Sequence, residues 1–139
     1  MGLIIVNKSC IQVKCSKCNN QVDMVIGQSI LENFQLSWWG AYKCPYCDNR
    51  IELDGKGIPD DNIREIILKA DGRWGLYVYE DSKIEAIKLI RGVLRISLAE
   101  ANNMLKAVPG IVLTGTRIEM IRLELFLNSK GINVKTKRI

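Results

Sequence analysis

The chain of 139 residues contains no histidine, and this absence excludes several kinds of active site. Serine-histidine-aspartate and cysteine-histidine nucleophiles need an imidazole, and so do zinc sites with histidine ligands. No two Asp or Glu residues share an apolar context that would separate the roles of an acid and a base. The glycine-rich segment GKGIPDD lacks the Lys-Ser/Thr ending of a phosphate-binding loop. We therefore expect a protein that is not an enzyme and has no small-molecule substrate.

Long apolar runs are also missing from the chain. No segment reaches the roughly 18 uninterrupted apolar residues that a bilayer-spanning helix needs. The opening MGLIIVNKSC is too short and wrongly flanked for a secretory signal. Apolar residues nevertheless make up 47% of the chain, which is enough for a packed core. The sequence predicts a soluble, cytoplasmic protein with no membrane partner.

Basic residues are in excess, and the excess lies in one part of the chain. The net charge is +5; residues 1–60 hold six basic and six acidic side chains, and residues 61–139 hold fourteen and nine. A basic second half favours a protein partner with an acidic surface, or a nucleic acid backbone. The alternative is that these charges only solvate a helix face.

Four of the five cysteines form two Cys-x2-Cys pairs, Cys15 with Cys18 and Cys44 with Cys47. A two-residue gap lets both thiolates of a tight turn face one ion, and two such turns supply the four thiolates that structural zinc prefers. Both turns, KCSKCNN and KCPYCDN, have Lys before the pair and Asn two places after it, which suggests two copies of one turn. We expect one structural Zn²⁺ ion with no open coordination position.

Strand-like segments flank both cysteine pairs, which is the pattern of a zinc ribbon, and we assign residues 1–57 to it. Two disulfides are an alternative, but they need an oxidising compartment and nothing in the sequence indicates export. A redox role for one Cys-x2-Cys pair is a second alternative, against which the presence of two pairs argues. The fifth cysteine, Cys10, is expected to be a small buried apolar residue at the end of a strand.

Aromatic residues are few, yet five of the nine lie in the segment from Phe34 to Tyr46. In one interpretation these rings supply the core of a small ribbon or pack against the second domain. In the other they form an exposed platform that stacks on bases or docks a protein. The candidates for stacking or docking are Trp38, Trp39, Tyr42 and Tyr46.

A turn-rich segment, DGKGIPDD, follows the ribbon and marks a domain boundary. We assign residues 58–75 to a linker that contains a short helix from Asn62 to Lys69, capped by Asp60 or Asp61. Its isoleucines, at positions 63, 66 and 67, fall on one helical face.

Residues 76–139 are predicted to form a β-α-α-β-α-β domain, a three-stranded sheet covered by helices. Isoleucines recur at helical spacing in the first helix, which Gly92 is expected to end. Ser97-x-x-Glu100 and Thr116-x-x-Glu119 have the pattern of capping boxes that open the next two helices. With the ribbon, the predicted fold class is α+β.

The C-terminal part resembles the C-terminal domain of the bacterial ribosomal stalk protein, whose C-terminal domains contact translational GTPases. The resemblance covers roughly the last 60 residues. It is carried by Lys83, Ile87-Lys88, Arg91-Gly92, Leu98, Glu100-Ala101 and Pro109.

The resemblance implies a partner-binding face on the first two helices of this domain. The chain departs from the family at Ser97, which replaces a glycine, and at Ala99 and Asn102, which replace lysines. The alternative is that Ile87 and Leu98 belong to the core and the cations only solvate the helix. The implied partner-binding residues are Lys83, Ile87, Lys88, Arg91, Leu98 and Glu100.

Together these features predict a non-catalytic zinc-binding adaptor. Its C-terminal domain would bind a protein with an acidic surface, such as a translational GTPase or a ribosome component. The alternative is a nucleic-acid-binding zinc-ribbon protein linked to transcription or RNA, with aromatic side chains stacked on a single strand. A protease adaptor is a third hypothesis, which rests only on a similarity of folds.

Overall fold

The computed structural model describes residues 3–139, with side chains from residue 5 onward, and contains four α-helices and two antiparallel sheets. The predicted α+β class is confirmed. The chain forms two compact units that divide between Asp71 and Gly72. Among the helices of the described residues, none combines the length and apolar character needed to cross a bilayer.

The N-terminal unit is a four-stranded antiparallel sheet in the order β1-β2-β3-β4, followed by one helix, α1. Two hairpins, β1-β2 and β3-β4, lie side by side, so their turns meet at the same end of the sheet. The elements are β1 (Leu3–Lys14), β2 (Gln21–Leu31), β3 (Leu36–Lys43), β4 (Arg50–Lys56) and α1 (Asp61–Asp71).

Helix α1 packs against one face of this sheet. Its isoleucines belong to or pack against a buried cluster that includes Met24, Ile26 and Tyr42 with Cys15 and Cys44, and the partly buried Cys18 and Cys47 pack against the same cluster. Asp60 starts the helix by accepting a hydrogen bond from the Ile63 amide at 3.1 Å. The helix expected within the 58–75 linker therefore contributes to the core of the N-terminal unit.

Strands β1 and β2 extend far beyond the first cysteine turn, over 12 and 11 residues. Residues 5–14 of β1 alternate between half-buried and exposed positions, but the half-buried ones include Asn7 and Ser9. Polar residues also occupy buried positions of β2, where Gln28 is 1% and Ser29 5% exposed. An alternation carried by polar side chains is invisible to a hydrophobicity pattern, because burial and hydropathy no longer coincide.

The C-terminal unit has the element order β5-α2-α3-β6-α4-β7, and its sheet has the strand order β6-β5-β7. Both neighbours of the central strand β5 run antiparallel to it. The bounds are β5 (Trp74–Val78), α2 (Lys83–Leu94), α3 (Leu98–Ala107), β6 (Gly110–Gly115), α4 (Arg117–Ser129) and β7 (Val134–Arg138).

The three helices of this unit share one core with one face of its sheet. Leu76 and Val78 of β5 are fully buried there, against Ile90 of α2, Met104 of α3 and Leu123 of α4. This single core holds α2 and α3 next to each other, so side chains from both helices can form one surface.

Helix starts in this unit follow the sequence closely, and one helix end does not. The predicted capping box at Thr116 and Glu119 is complete, and the Ser97 hydroxyl accepts a hydrogen bond from the Glu100 amide. The predicted end of α2 at Gly92 is wrong, because the helix continues to Leu94 and terminates at Arg95 with φ 54°. Leu94 packs against the core, which favours one more half-turn of helix.

Candidate metal centre and partner-binding groove

The two cysteine turns are structural copies of each other. In the first, the Cys15 amide donates to Asn20 O at 2.8 Å; in the second, the Cys44 amide donates to Asn49 O at the same distance. Asn19 and Asp48 occupy the equivalent left-handed position, with φ of 62° and 60°. Asn and Asp tolerate this conformation better than other non-glycine residues, which explains their place in both turns.

The four sulfur atoms lie together at the end of the sheet, all within 4.8 Å of one another. The sulfurs of Cys15 and Cys47 are 3.6 Å apart, and those of Cys18 and Cys44 are 3.5 Å apart. A tetrahedron of thiolates around zinc has edges of about 3.8 Å, given zinc-sulfur bonds of roughly 2.3 Å. The four cysteines are thus positioned to bind one metal ion, as predicted.

The close approach of the sulfurs and their hydrogen-bond donors shifts the pKa values of these thiols. The pKa of Cys15 is lowered to about 6, first by the backbone amide of Cys18 and also by the carboxamide of Asn49, despite its burial. At Cys47 the Asn49 amide lowers the pKa, but burial and the three neighbouring cysteines together raise it to about 12. Four thiolates at this separation repel one another, and a divalent cation between them removes the repulsion.

Asparagine carboxamides two places after each pair donate to sulfur. Asn20 Nδ2 lies 3.3 Å from Cys18 Sγ, and the backbone amide and carboxamide of Asn20 lower the pKa of that thiol. Asn49 Nδ2 reaches the other turn, 3.7 Å from Cys15 Sγ and 3.2 Å from Ser16 Oγ. The repeated Asn was visible in the sequence, but its role as a sulfur-supporting donor was missed.

Tyr42 supports the metal centre from the core. It is 9% exposed, and its hydroxyl accepts a hydrogen bond from the Ser16 amide at 3.1 Å and lies 3.2 Å from Ser16 Oγ. This contact ties strand β3 to the first cysteine turn. The sequence offered Tyr42 as a stacking candidate, and the structure places it among the core residues instead.

Tyr42→Phe is expected to weaken metal binding about tenfold while leaving the fold intact. The change removes the partner of the Ser16 amide, and losing such supporting contacts around a metal site costs roughly 10- to 100-fold in affinity. Competition with a coloured zinc chelator measures the effect. Tyr46→Phe is the matched control, because Tyr46 is 68% exposed; equal affinities for the two variants would contradict the assigned role.

The two tryptophan candidates do not share one surface. Trp39 pairs with Gly27 and Trp38 pairs with Gln28, so the two indoles lie on opposite faces of the sheet. Each ring covers a glycine of a neighbouring strand: Trp39 lies over Gly27, and Trp38 lies over Gly55. A single bound strand cannot stack on both tryptophans.

Cys10 differs from its expected environment. It lies within β1, opposite Val25 of β2, and is exposed. The prediction of a buried cysteine at a strand end is wrong, because β1 extends well beyond it and the position alternates to the exposed side.

A groove of about 270 Å³ runs between α2 and α3 in the C-terminal unit. It brings together four of the six predicted partner-binding residues: Ile87, Lys88, Arg91 and Leu98. Leu98 is 60% exposed, whereas Ile87 is 3% exposed and belongs to the core. The core interpretation of Ile87 therefore holds, although its side chain also forms part of the groove wall.

Two predicted residues are not among those lining the groove, and four lining residues were not predicted: Ile84, Ala101, Asn102 and Leu105. Lys83 begins α2, and Glu100 is exposed in the first turn of α3. Ile84 lines the groove and is 66% exposed, which is unusual for isoleucine. The sequence placed Ile84 at helical spacing with Ile87, and this spacing alone could not separate the core from the surface.

Basic side chains of the groove also line a second depression, which has a volume of about 400 Å³. Lys88 and Arg91 line both, and Arg95 lines the second, where Arg91 Nε donates to Ile96 O at 3.3 Å. The groove thus lies directly beside a cluster of three basic side chains, Lys88, Arg91 and Arg95.

Comparison of the chain with protein-family models, with curated proteins and with solved structures finds no match. The metal centre and the groove are therefore the features of this chain that indicate a function.

Proposed function

We propose that this chain is a non-catalytic zinc-binding adaptor, in which a zinc ribbon accompanies a partner-binding domain related to the C-terminal domain of the ribosomal stalk protein. The observation that carries the proposal is the groove between α2 and α3, which combines exposed Ile84 and Leu98 with Lys88 and Arg91. The occupant that fits is a protein segment with apolar anchors and acidic flanks, on a translational GTPase or a ribosome component.

Zinc is the metal that best fits the cysteine cluster. Four thiolates in a tetrahedral arrangement suit zinc or iron, and zinc supports folding without redox chemistry. Because all four positions are taken by cysteine, the ion would hold the two turns together and would have no position for substrate. Native mass spectrometry of the purified chain tests this assignment, with one zinc ion per chain expected; a chain that carries iron instead would overturn it.

The pairing of exposed apolar and cationic side chains supports the choice of a protein partner for the groove. Burying Ile84 and Leu98 supplies affinity, because apolar area removed from water is the main favourable term in association. Lys88 and Arg91 beside them favour acidic residues on the partner and steer its approach. A phosphate backbone would use the cations but leave the two apolar side chains exposed.

Affinity capture tests the function. Zinc-loaded wild-type chain and a Leu98→Ser variant are each used to retain proteins from lysate of the source cells, with and without nuclease. We expect a GTPase or ribosomal component that survives nuclease treatment and is lost with Leu98→Ser. Loss of every partner after nuclease treatment would instead favour the nucleic-acid-binding alternative.

A further inference from the structure

The sheet of the C-terminal unit has a second face that the adaptor function does not use. Helices pack against Leu76 and Val78, so alternate residues of β5 point the other way. We call this the outer sheet face and define it by five strand residues and by Tyr79, which directly follows β5. None of them belongs to the helix-packed core: Gly75, Tyr77, Tyr79, Ile111, Lys135 and Lys137.

Strand register brings aromatic and cationic side chains together on this face. Tyr77 pairs with Lys135 of β7 on one side and with Ile111 of β6 on the other. The Tyr77 and Tyr79 rings are 4.9 Å apart between centroids, and Lys137 Nζ lies 4.1 Å from the Tyr77 centroid. Two adjacent rings are therefore flanked by two lysines, both of which are exposed.

Gly75 allows the face to be flat beside the rings. A Cβ atom there would lie 2.7 Å from Ile111 Cγ2 and 3.1 Å from Ile139 Cδ1, so both side chains close over the glycine. Ile139 is 64% exposed. Ile111 and Ile139 thus form a flat apolar surface next to the tyrosines, and basic side chains lie along the edge strand β7.

The charged residues within the three strands are all basic, although Glu80 and Asp81 directly follow Tyr79. Strands β5, β6 and β7 contain no Asp or Glu, while β7 carries Lys135, Lys137 and Arg138. Residues 72–139 hold twelve basic and six acidic side chains, a net charge of +6. The complementary ligand is a polyanion.

We propose that the outer sheet face binds a single strand of nucleic acid, with bases stacked on Tyr77 and Tyr79 and phosphates bound by Lys135 and Lys137. Aromatic rings accept any base, and neighbouring cations follow the backbone. A duplex hides the faces of its bases, so the rings select unpaired nucleotides. An incoming base takes the place of Lys137 over Tyr77, and the freed ammonium group then reaches a phosphate.

The test uses the full-length, zinc-loaded chain and a fluorescein-labelled oligouridine of about twelve nucleotides, within the usual site size. Fluorescence anisotropy measures the binding constant over a series of salt concentrations, with a duplex of equal length in parallel. We expect binding of the single strand that weakens as salt rises, and at least tenfold weaker binding of the duplex.

Variants separate stacking from charge. Tyr77→Leu is expected to lose about tenfold in affinity, whereas Tyr77→Phe retains it because the ring remains. Lys135→Ala with Lys137→Ala should lower the magnitude of the slope of log K against log salt by about 1.4, since each phosphate contact on a single strand contributes roughly 0.7. Lys69→Ala with Lys106→Ala removes equal charge from α1 and α3 and should leave the slope unchanged.

Circular dichroism establishes that each variant is folded, and if Tyr77→Leu is not, Tyr79→Leu and the lysine pair carry the test. Equal affinity of wild type, Tyr77→Leu and the lysine pair would overturn the proposal. So would equal binding of duplex and single strand. A dimer in sedimentation that Tyr77→Leu dissociates, without oligonucleotide binding, would assign the face to a second copy of the chain and also overturn it.

Discussion

Cys44→Ser is expected to release the metal ion and unfold the N-terminal unit while residues 72–139 remain folded. Cys44 is fully buried and contributes one of the four clustered sulfurs, so the change removes a ligand and places a hydroxyl in the core. Structural zinc contributes about 10–16 kcal/mol of apparent folding free energy in zinc-finger peptides. Whole domains are stable by only about 5–15 kcal/mol, so the loss is of the same size as the stability.

The packing of α1 extends this effect beyond the two turns. Ile63, Ile66 and Ile67 contact the cluster that contains the cysteines, so the helix loses its packing surface when the turns separate. The unit is thus expected to unfold cooperatively, from the strands to the helix.

Amide NMR spectra and metal content measure this outcome directly. Signals of residues 72–139 should persist in Cys44→Ser, while those of the N-terminal unit collapse to unfolded positions and no zinc is retained. Cys10→Ser is the matched control, because Cys10 is exposed and lies outside the cluster. A Cys44→Ser chain with the zinc content and melting temperature of Cys10→Ser would show that the metal does not support the fold.

Reversing two charges at the groove is expected to abolish partner binding at low salt. Lys88→Glu with Arg91→Glu places two carboxylates in the groove, where the proposed partner presents its own acidic residues. Lys88 and Arg91 are exposed in the free chain, and the proposed partner would bury them. Losing one member of a buried charge pair costs about 2–5 kcal/mol, so two reversals should weaken binding more than a hundredfold. Surface plasmon resonance against the captured partner measures the change.

Two further variants serve as comparisons, one for net charge and one for apolar contact. Lys69→Glu with Lys106→Glu changes the net charge equally, on exposed positions outside the groove, and should alter binding less than threefold. Ile84→Ser should weaken binding at every salt concentration, because the lost contact is apolar. Unchanged affinity of the Lys88→Glu, Arg91→Glu chain at low salt would show that the groove does not bind the partner.

The metal centre was the part of the chain that the sequence predicted best. Cysteine spacing fixes which atoms can meet one ion, because the two-residue turn leaves little conformational choice, and the repeated turn of Cys15 and Cys44 is found in the structure. Its supporting contacts were less accessible. Tyr42 meets Ser16 across 26 residues, and no local pattern encodes that distance.

Local signals located helix starts better than helix ends. The Thr116 cap depends on residues within one turn, so its sequence pattern carries the whole interaction. The end of α2 depends on Leu94 reaching a core assembled from distant segments, which outweighs the weak helix propensity of Gly92. Tertiary packing decided the second case.

Surfaces that form through strand pairing could not be predicted from the sequence. Tyr77 and Lys135 are 58 positions apart and become neighbours only through the register of β5 and β7. In the sequence, Lys135 and Lys137 are merely alternate polar residues of a terminal strand. The groove between α2 and α3 was suggested only through the resemblance, and its exposed Ile84 needed the structure.

We propose that the α2–α3 groove binds a protein segment in which acidic residues flank an apolar anchor. The most direct measurement replaces Leu98 with a photo-crosslinking amino acid in the zinc-loaded chain, illuminates it in lysate of the source cells, and sequences the attached peptide. We expect one dominant protein segment of this kind, and no such product when the crosslinker replaces exposed Lys106. Attachment to nucleic acid, or the same products from both positions, would contradict the proposal.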